Sequence, residues 1–183
     1  MPLSGASVAI LLADKYEDQE FWYPYFRLKE NGAQVTAVAS KRGQTYASLH
    51  QYPARSDTSV RDVNAVDFDA VVIPGGFSPD YMRRDDAMID FVCDAAESHI
   101  PLAAICHGPW MLCCTNALKG KRATSFKSIR FDMINAGAQW VDEACVEDDN
   151  IITSRSPDDL TVFVPAIIKA TRNFASGRGR KVA

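Results

Sequence analysis

Three short turns hold the residues of this 183-residue chain that could do chemistry. The first is Cys106-His107-Gly108-Pro109, which follows at once on the apolar run Leu102-Ala103-Ala104-Ile105. A thiol that ends a buried strand and opens a helix sits on a sharp bend, the geometry that lifts a nucleophile above a sheet edge. Pro109 marks the helix start, because the first turn has no use for its missing N–H. The positive end of that helix is expected to lower the thiol pKa and enlarge its thiolate fraction. A lone cysteine is more often a small core residue; the elbow is what favours a reactive one here. His107 is the natural base, although its ring can point toward the sulfur or away.

The second turn, Asp14-Lys15-Tyr16-Glu17-Asp18-Gln19-Glu20, follows the apolar run of residues 8–13. Any one of its acids reads equally as a charge complementing a helix dipole. Glu17 and Glu20 are three apart and can share a helical face. An ionised carboxylate beside Cys106 would raise the thiol pKa. A protonated one would donate a hydrogen bond to the thiolate, and the two groups would titrate as a coupled pair. Glu20 is assigned that place. The third turn is Pro74-Gly75-Gly76-Phe77-Ser78-Pro79-Asp80. Two glycines after a strand let the backbone approach a ligand and turn N–H groups toward it. Gly76, with Gly75 beside it and the N–H of His107, reads as an oxyanion hole worth about 3–4 kcal/mol per donor in acyl chemistry. A plain tight loop is the simpler alternative. No phosphate-loop or dinucleotide fingerprint follows the strand.

The elements that must position these turns read as an α/β pattern. Residues 8–13, 35–39, 70–73 and 102–105 are near-continuous apolar runs, separated by segments of helical period. Phe21, Tyr25 and Leu28 share one face, as do Met88, Phe91, Val92 and Ala95. Alternating strands and helices imply a parallel sheet covered on both faces, with ligands at the strand carboxyl edge. Asn31-Gly32 closes the first helix, and Pro24 either delays its start or bends it. Residues 46–53 and 144–153 hold candidate hairpins. Ser156-Pro157-Asp158-Asp159 reads as a capped helix start with a capping box, and Pro165 as a kink in the helix that follows. The chain is expected to form one domain over residues 1–174, with 175–183 a flexible basic tail.

Composition narrows the partners. Twenty basic and 23 acidic residues leave a net charge of −3, which carries no nucleic-acid footprint. Five cysteines without paired CxxC spacing argue for a reducing, cytoplasmic setting and against a disulfide scaffold or zinc ribbon. The N-terminus shows neither a signal peptide nor a membrane span. No set of residues has metal-ligand spacing, so neither metal nor cofactor is expected. His50 and His99 have no chemical context. Cys93, Cys113, Cys114 and Cys145 read as packing residues.

Taken together, AxCHGP, PGGxxPD and YEDxEFxYP resemble the ThiJ/PfpI superfamily, as do KGKRATS, DMINAGAQWVD and TSRSPDDL. The resemblance is nearest to the intracellular protease I (PfpI) branch and spans roughly residues 8–168. It implies a flavodoxin-like three-layer sandwich with a mostly parallel central sheet, related to class I glutamine amidotransferases. It also implies a homodimer or a larger ring. By the same resemblance Cys106 is the nucleophile, His107 its partner and Gly76 the oxyanion glycine. Glu20 is the acid on the cysteine, and Glu17 its neighbour. Asp80 falls where the branch has an acid that orients the histidine of the adjacent subunit. One departure is Thr124-Ser125-Phe126, which lacks the family's usual tyrosine hydroxyl. Trp22, Trp110 and Phe131 imply either an aromatic surround or core and interface packing.

Three functions follow. The first is a cysteine-nucleophile enzyme acting on small reactive carbonyls or their protein adducts, of glyoxalase III or deglycase type. The second is an intracellular cysteine peptidase. The third is a non-catalytic redox sensor that works through oxidation of Cys106. Whether Arg155 reaches the pocket is open from sequence.

Overall fold

A computed structural model describes residues 1–179. Four-residue runs such as AVVI and LAAI have no polar alternation, so a strand made of them must be covered on both faces. Every residue of both is buried. In chain order the strands are β1 (Ser7–Leu11), β2 (Gln34–Ala39), β3 (Thr45–Ala47), β4 (Pro53–Arg55), β5 (Thr58–Ser59) and β6 (Ala70–Ile73). They continue with β7 (Leu102–Ile105), β8 (Arg122–Ala123), β9 (Gln139–Trp140), β10 (Cys145–Asp148) and β11 (Ile151–Ser154). The helices are α1 (Asp18–Glu30), α2 (Ser78–Met82), α3 (Asp86–Glu97), α4 (Pro109–Leu112), α5 (Arg130–Asn135) and α6 (Leu160–Gly179).

Seven strands form the main sheet in the order β10-β11-β7-β6-β1-β2-β5. All pairs are parallel except β10 with β11, which form the second expected hairpin. The first is the β3–β4 pair. Side chains alternate across each strand. Val8 and Ile10 therefore enter one core with Phe21 and Leu28 of α1 and Phe163 and Ile167 of α6. Ala9 and Leu11 enter the other, with Met88, Phe91 and Val92 of α3. The result is the three-layer sandwich. Its central trio β7-β6-β1 places the carboxyl ends of three adjacent strands side by side, and each feeds one of the three turns singled out above. Among the described residues no helix is long and apolar enough to cross a membrane.

Four expectations change. First, α1 begins at Asp18 and contains Pro24 as a buried residue of its interior, so the proline does not delay the helix. Second, residues 175–179 are not a frayed tail: α6 runs to Gly179, and Arg178 donates to the carbonyls of Phe68 (2.9 Å) and Val66 (2.8 Å). The rest of the expected tail, residues 180–183, lies outside the described residues. Third, Ser156 makes no side-chain cap, and Asp159 completes no capping box. Its carboxylate takes two hydrogen bonds from Arg155 instead, at 2.9 and 3.1 Å. Fourth, the short strands β5, β8 and β9 were not anticipated. Each is two residues long, too short for any period to register.

Candidate active site

Cys106 is the first residue beyond β7 and takes φ +60°. That left-handed backbone costs a non-glycine residue roughly 1–2 kcal/mol and persists only where neighbours hold it. Here they do. The Cys106 N–H donates to the Ser154 carbonyl of β11 (3.0 Å), and its own carbonyl accepts the N–H of Phe126 (2.9 Å). The Gly108 N–H closes the turn on Ile105 O at 2.7 Å. The sequence-derived elbow is therefore real, and its thiol is aimed by three backbone bonds.

Glu20 lies in the first turn of α1 and is fully buried. Its Oε2 accepts the Gly75 N–H at 2.8 Å. Its Oε1 is buried without a partner of its own, and the carboxyl's remaining polar neighbour is the Cys106 thiol. Gly75 thus leaves the expected oxyanion pair, because its N–H is already committed to the acid. The two amides that do reach the sulfur are those of Gly76 and His107. Both glycines are required by space. A Cβ on Gly75 would lie 2.7 Å from Glu20 Oε2 and 2.8 Å from Cys106 Cβ. One on Gly76, at φ +66°, would lie 2.4 Å from the Lys15 carbonyl oxygen.

The electrostatics correct one expectation. Burial first, and then the charge of Glu20, push the Cys106 thiol well above its usual range, while the N–H groups of Gly76 and His107 pull it down. The helix that was to lower it is α4, four residues long, whose aligned dipoles are too few to outweigh desolvation. Burial likewise pushes Glu20 up to about 8. At neutral pH the acid therefore keeps its proton, as expected, and puts no charge beside the sulfur. Nearby Glu17 adds a smaller upward push to Glu20. No contact joins Glu17 to the sulfur.

The imidazole of His107 turns toward the thiol: Nδ1 is 3.3 Å from Cys106 Sγ. Its Nε2 is 3.0 Å from Ser128 Oγ. Burial lowers the pKa of His107, so the ring is neutral near pH 7. Phe126 stacks on it with centroids 5.0 Å apart at 27°, and the rings of Trp110 and Phe77 stand at 5.6 and 6.2 Å. The residue noted for a missing hydroxyl is thus a wall of the site. Ser128 and Phe77 were not singled out in the sequence, where nothing in their local pattern marks them.

Other residues are not brought in. Within this chain Asp80 pairs with Arg84 and does not meet His107. Arg155 is held by Asp159 and Asp142 and makes no hydrogen bond to Cys106, His107 or Glu20. Trp22 belongs to an aromatic cluster with Phe21, Tyr25, Phe26 and Tyr52, and Phe131 is exposed. His50 does have a partner, Asp18 at 2.7 Å. Glu17, Asp18 and His50 bring potential ligand atoms within 4.8 Å of one another. Asp18 already bonds both Ser48 Oγ (2.6 Å) and His50, so the cluster satisfies itself.

Beside His107 lies a cavity of about 410 Å³ lined by Lys15, Leu49, Phe77, Asp80, Tyr81 and Trp110. A larger groove of about 760 Å³ runs over Trp22, Phe26 and Tyr52. Cys106 and His107 line neither cavity, but the smaller one shares Phe77 and Trp110 with the surround of the His107 ring.

Comparison with known proteins places this geometry among relatives. The model of the DJ-1/PfpI family matches residues 6–170. YraA of Bacillus subtilis, whose name assigns it to the cysteine proteases, is 44% identical over 156 residues, 85% of this chain and 92% of that protein. A deglycase of Pyrococcus abyssi is 41% identical over 162 residues, 88% of this chain and 97% of its own. The crystal structure of a two-domain protein from Anabaena variabilis, with DJ-1/ThiJ/PfpI-like and ferritin-like domains, superposes with a TM-score of 0.87 at 43% identity. It covers 89% of this chain, which spans about half (49%) of that longer protein.

Proposed function

The chain belongs to the DJ-1/PfpI family, and on that premise we propose that it is a cysteine-dependent enzyme acting on small reactive dicarbonyls or their adducts on proteins. The observation that carries this reading is a nucleophile elbow whose Sγ lies 3.3 Å from a neutral imidazole nitrogen, next to a buried acid that keeps its proton. The Pyrococcus abyssi deglycase, 41% identical, supports the same substrate class. So does the modest size of the cavity, which suits a small molecule better than an extended peptide.

The chemistry follows from the raised thiol. Cys106 rests as S–H, and its proton passes to His107 Nδ1 as the sulfur attacks an aldehyde carbon. The carbonyl electron pair moves to oxygen, where the amides of Gly76 and His107, already aimed at the sulfur, donate to it. On a 2-oxoaldehyde the hydrogen of the resulting thiohemiacetal carbon transfers to the neighbouring carbonyl carbon through an enediol. That step leaves a 2-hydroxyacyl thioester on the sulfur. Water then releases the 2-hydroxy acid and restores the thiol, with no net redox change. Glu20 donates its proton toward sulfur throughout and so stabilises the thiolate without adding charge. Oxidation-sensing cysteines are low in pKa and exposed, whereas burial raises the Cys106 thiol, which favours the enzyme reading over a redox sensor. The five free cysteines fit a reducing compartment such as the cytoplasm.

The test is consumption of methylglyoxal and release of lactate by the purified protein, with Cys106→Ser as control and casein as the competing substrate. Methylglyoxal turnover that vanishes in Cys106→Ser is the expected result. Cleavage of casein without any dicarbonyl turnover would replace this reading with a peptidase.

A further inference from the structure

We propose that Cys93 and Cys114 are a second reactive thiol pair, which a small-molecule disulfide of the glutathione type converts to a reversible Cys93–Cys114 disulfide. The pair lies away from the elbow and goes beyond the enzyme reading. From sequence both residues read as packing residues, but the fold brings them together. Each lines a cavity of about 330 Å³ at the amino ends of β7 and β11, the sheet edge opposite Cys106. Cys93 sits half-buried on the flank of α3, beside the buried Val92. Its sulfur lies 3.9 Å from the main-chain oxygen of Cys114. That contact leaves side-chain rotation as the change needed to join the two sulfurs. Cys113 is excluded by its direction. It caps α4 and turns its sulfur to Met133 Sδ, at 3.8 Å in the core, whereas Cys114 opens on the cavity.

The cavity suits a disulfide reagent better than a metal ion. A metal needs a third donor, and among the described residues the one set of three donors close enough is Glu17, Asp18 and His50, at the elbow end. A disulfide reagent needs two thiols and room. Glu97 and Asp149 stand in the same lining as Lys119 and Lys121, so the ammonium and carboxylates of glutathione meet charges of the opposite sign. In the first exchange the Cys114 sulfur attacks one sulfur of the reagent, whose S–S bond breaks. One glutathione leaves as thiolate and takes up the proton that Cys114 has lost. In the second, the Cys93 sulfur displaces the other glutathione. Two protein thiols are oxidised, and one reagent disulfide is reduced to two thiols. Burial first, then Asp90, Cys114 and Glu97, hold the Cys93 thiol above its ordinary range. Its part is therefore the intramolecular step, where proximity offsets a small thiolate fraction. The bond closes residues 93–114 into a loop that contains β7, the elbow and α4. In a reducing compartment it forms while the disulfide reagent is in excess and is undone afterwards.

The test uses the full chain carrying Cys106→Ser, so its outcome is independent of the nucleophile assigned above. The protein is incubated with glutathione disulfide at about pH 8, near the ordinary thiol range, and read by intact mass and non-reducing peptide maps. The expected product has lost two hydrogens, retains no glutathione and joins the peptides of Cys93 and Cys114. Its thermal midpoint is expected to rise by about 5–10 °C and to return on reduction. With Cys93→Ser or Cys114→Ser added, the chain should take up at most one glutathione, on the remaining thiol of the pair, and its midpoint should not rise. Glutathione retained on either residue of the parent overturns the pairing. So does a folded protein that stays unreacted while the same chain in urea reacts, or a linkage to Cys113 or Cys145. Linked peptides with an unchanged or lowered midpoint would mean that the bond forms in a distorted chain, and would overturn it as well.

Discussion

Glu20 is the side chain whose ionisation this fold most strongly opposes. It has no exposed atom, one oxygen without a partner and a thiol for a neighbour, so its pKa rises from the ordinary 4.5 to about 8. In the unfolded chain it ionises from about pH 4.5 upward, whereas in the folded one it stays protonated until about 8. Its contribution to stability is therefore complete below pH 4.5, declines as pH rises and is lost by about pH 8, a change on the order of a few kcal/mol. Glu20→Gln removes that titration. The thermal midpoint of the wild type should fall between pH 5 and 8 by more than that of the variant, as read by calorimetry. Parallel midpoint curves would show that Glu20 is ionised throughout. The other cysteines make a useful contrast: burial drives Cys113 up to about 12 and Cys145 up to about 11 without an adjacent base. What distinguishes Cys106 is the donors and acceptor around it rather than a low pKa.

The elements matter chiefly through where they stop. β1, β6 and β7 end side by side, and the turns that follow approach one another so closely that only hydrogen atoms fit on three α-carbons, those of Gly75, Gly76 and Gly108. Gly76 alone of the three also has a left-handed backbone, and a methyl group there would press on Lys15 O and Glu17 N at 2.4 and 2.7 Å. Gly76→Ala should lower stability by at least about 2 kcal/mol. It should also lower kcat by more than it raises KM, because the displaced amide stabilises an oxyanion that exists only after attack. Urea unfolding and steady-state kinetics read the two effects. A variant with wild-type kcat would mean that the amide plays no part in the reaction.

At the scale of the whole molecule the sheet separates two cores that share no side chain. Phe163 fills one against α1, and Phe91 fills the other under α3, both with almost no exposure. Truncating either to alanine should cost about 3–5 kcal/mol. The two sites have no common partners, so the double variant should lose the sum of the single losses within about half a kcal/mol. Chemical denaturation of the four proteins measures this. A large coupling energy would show that strain crosses the sheet.

Much of this was legible because it depends on residues adjacent in the chain. An unbroken apolar run declares a strand buried on both faces, and a cysteine at its end followed by His-Gly-Pro declares a bend. A helical period of apolar residues names the buried face, as it did for Met88, Phe91, Val92 and Ala95. What remained hidden depends on distance through space. The direction of the His107 ring, the capture of the Gly75 N–H by Glu20, the pairing of Asp159 with Arg155 and the arrival of Ser128 at Nε2 join residues from different turns, or one of several partners in reach. The thiol's shift was misjudged for the same reason. A dipole can be read from a helix start, whereas desolvation is set by everything packed around the sulfur, and only the assembled fold determines that.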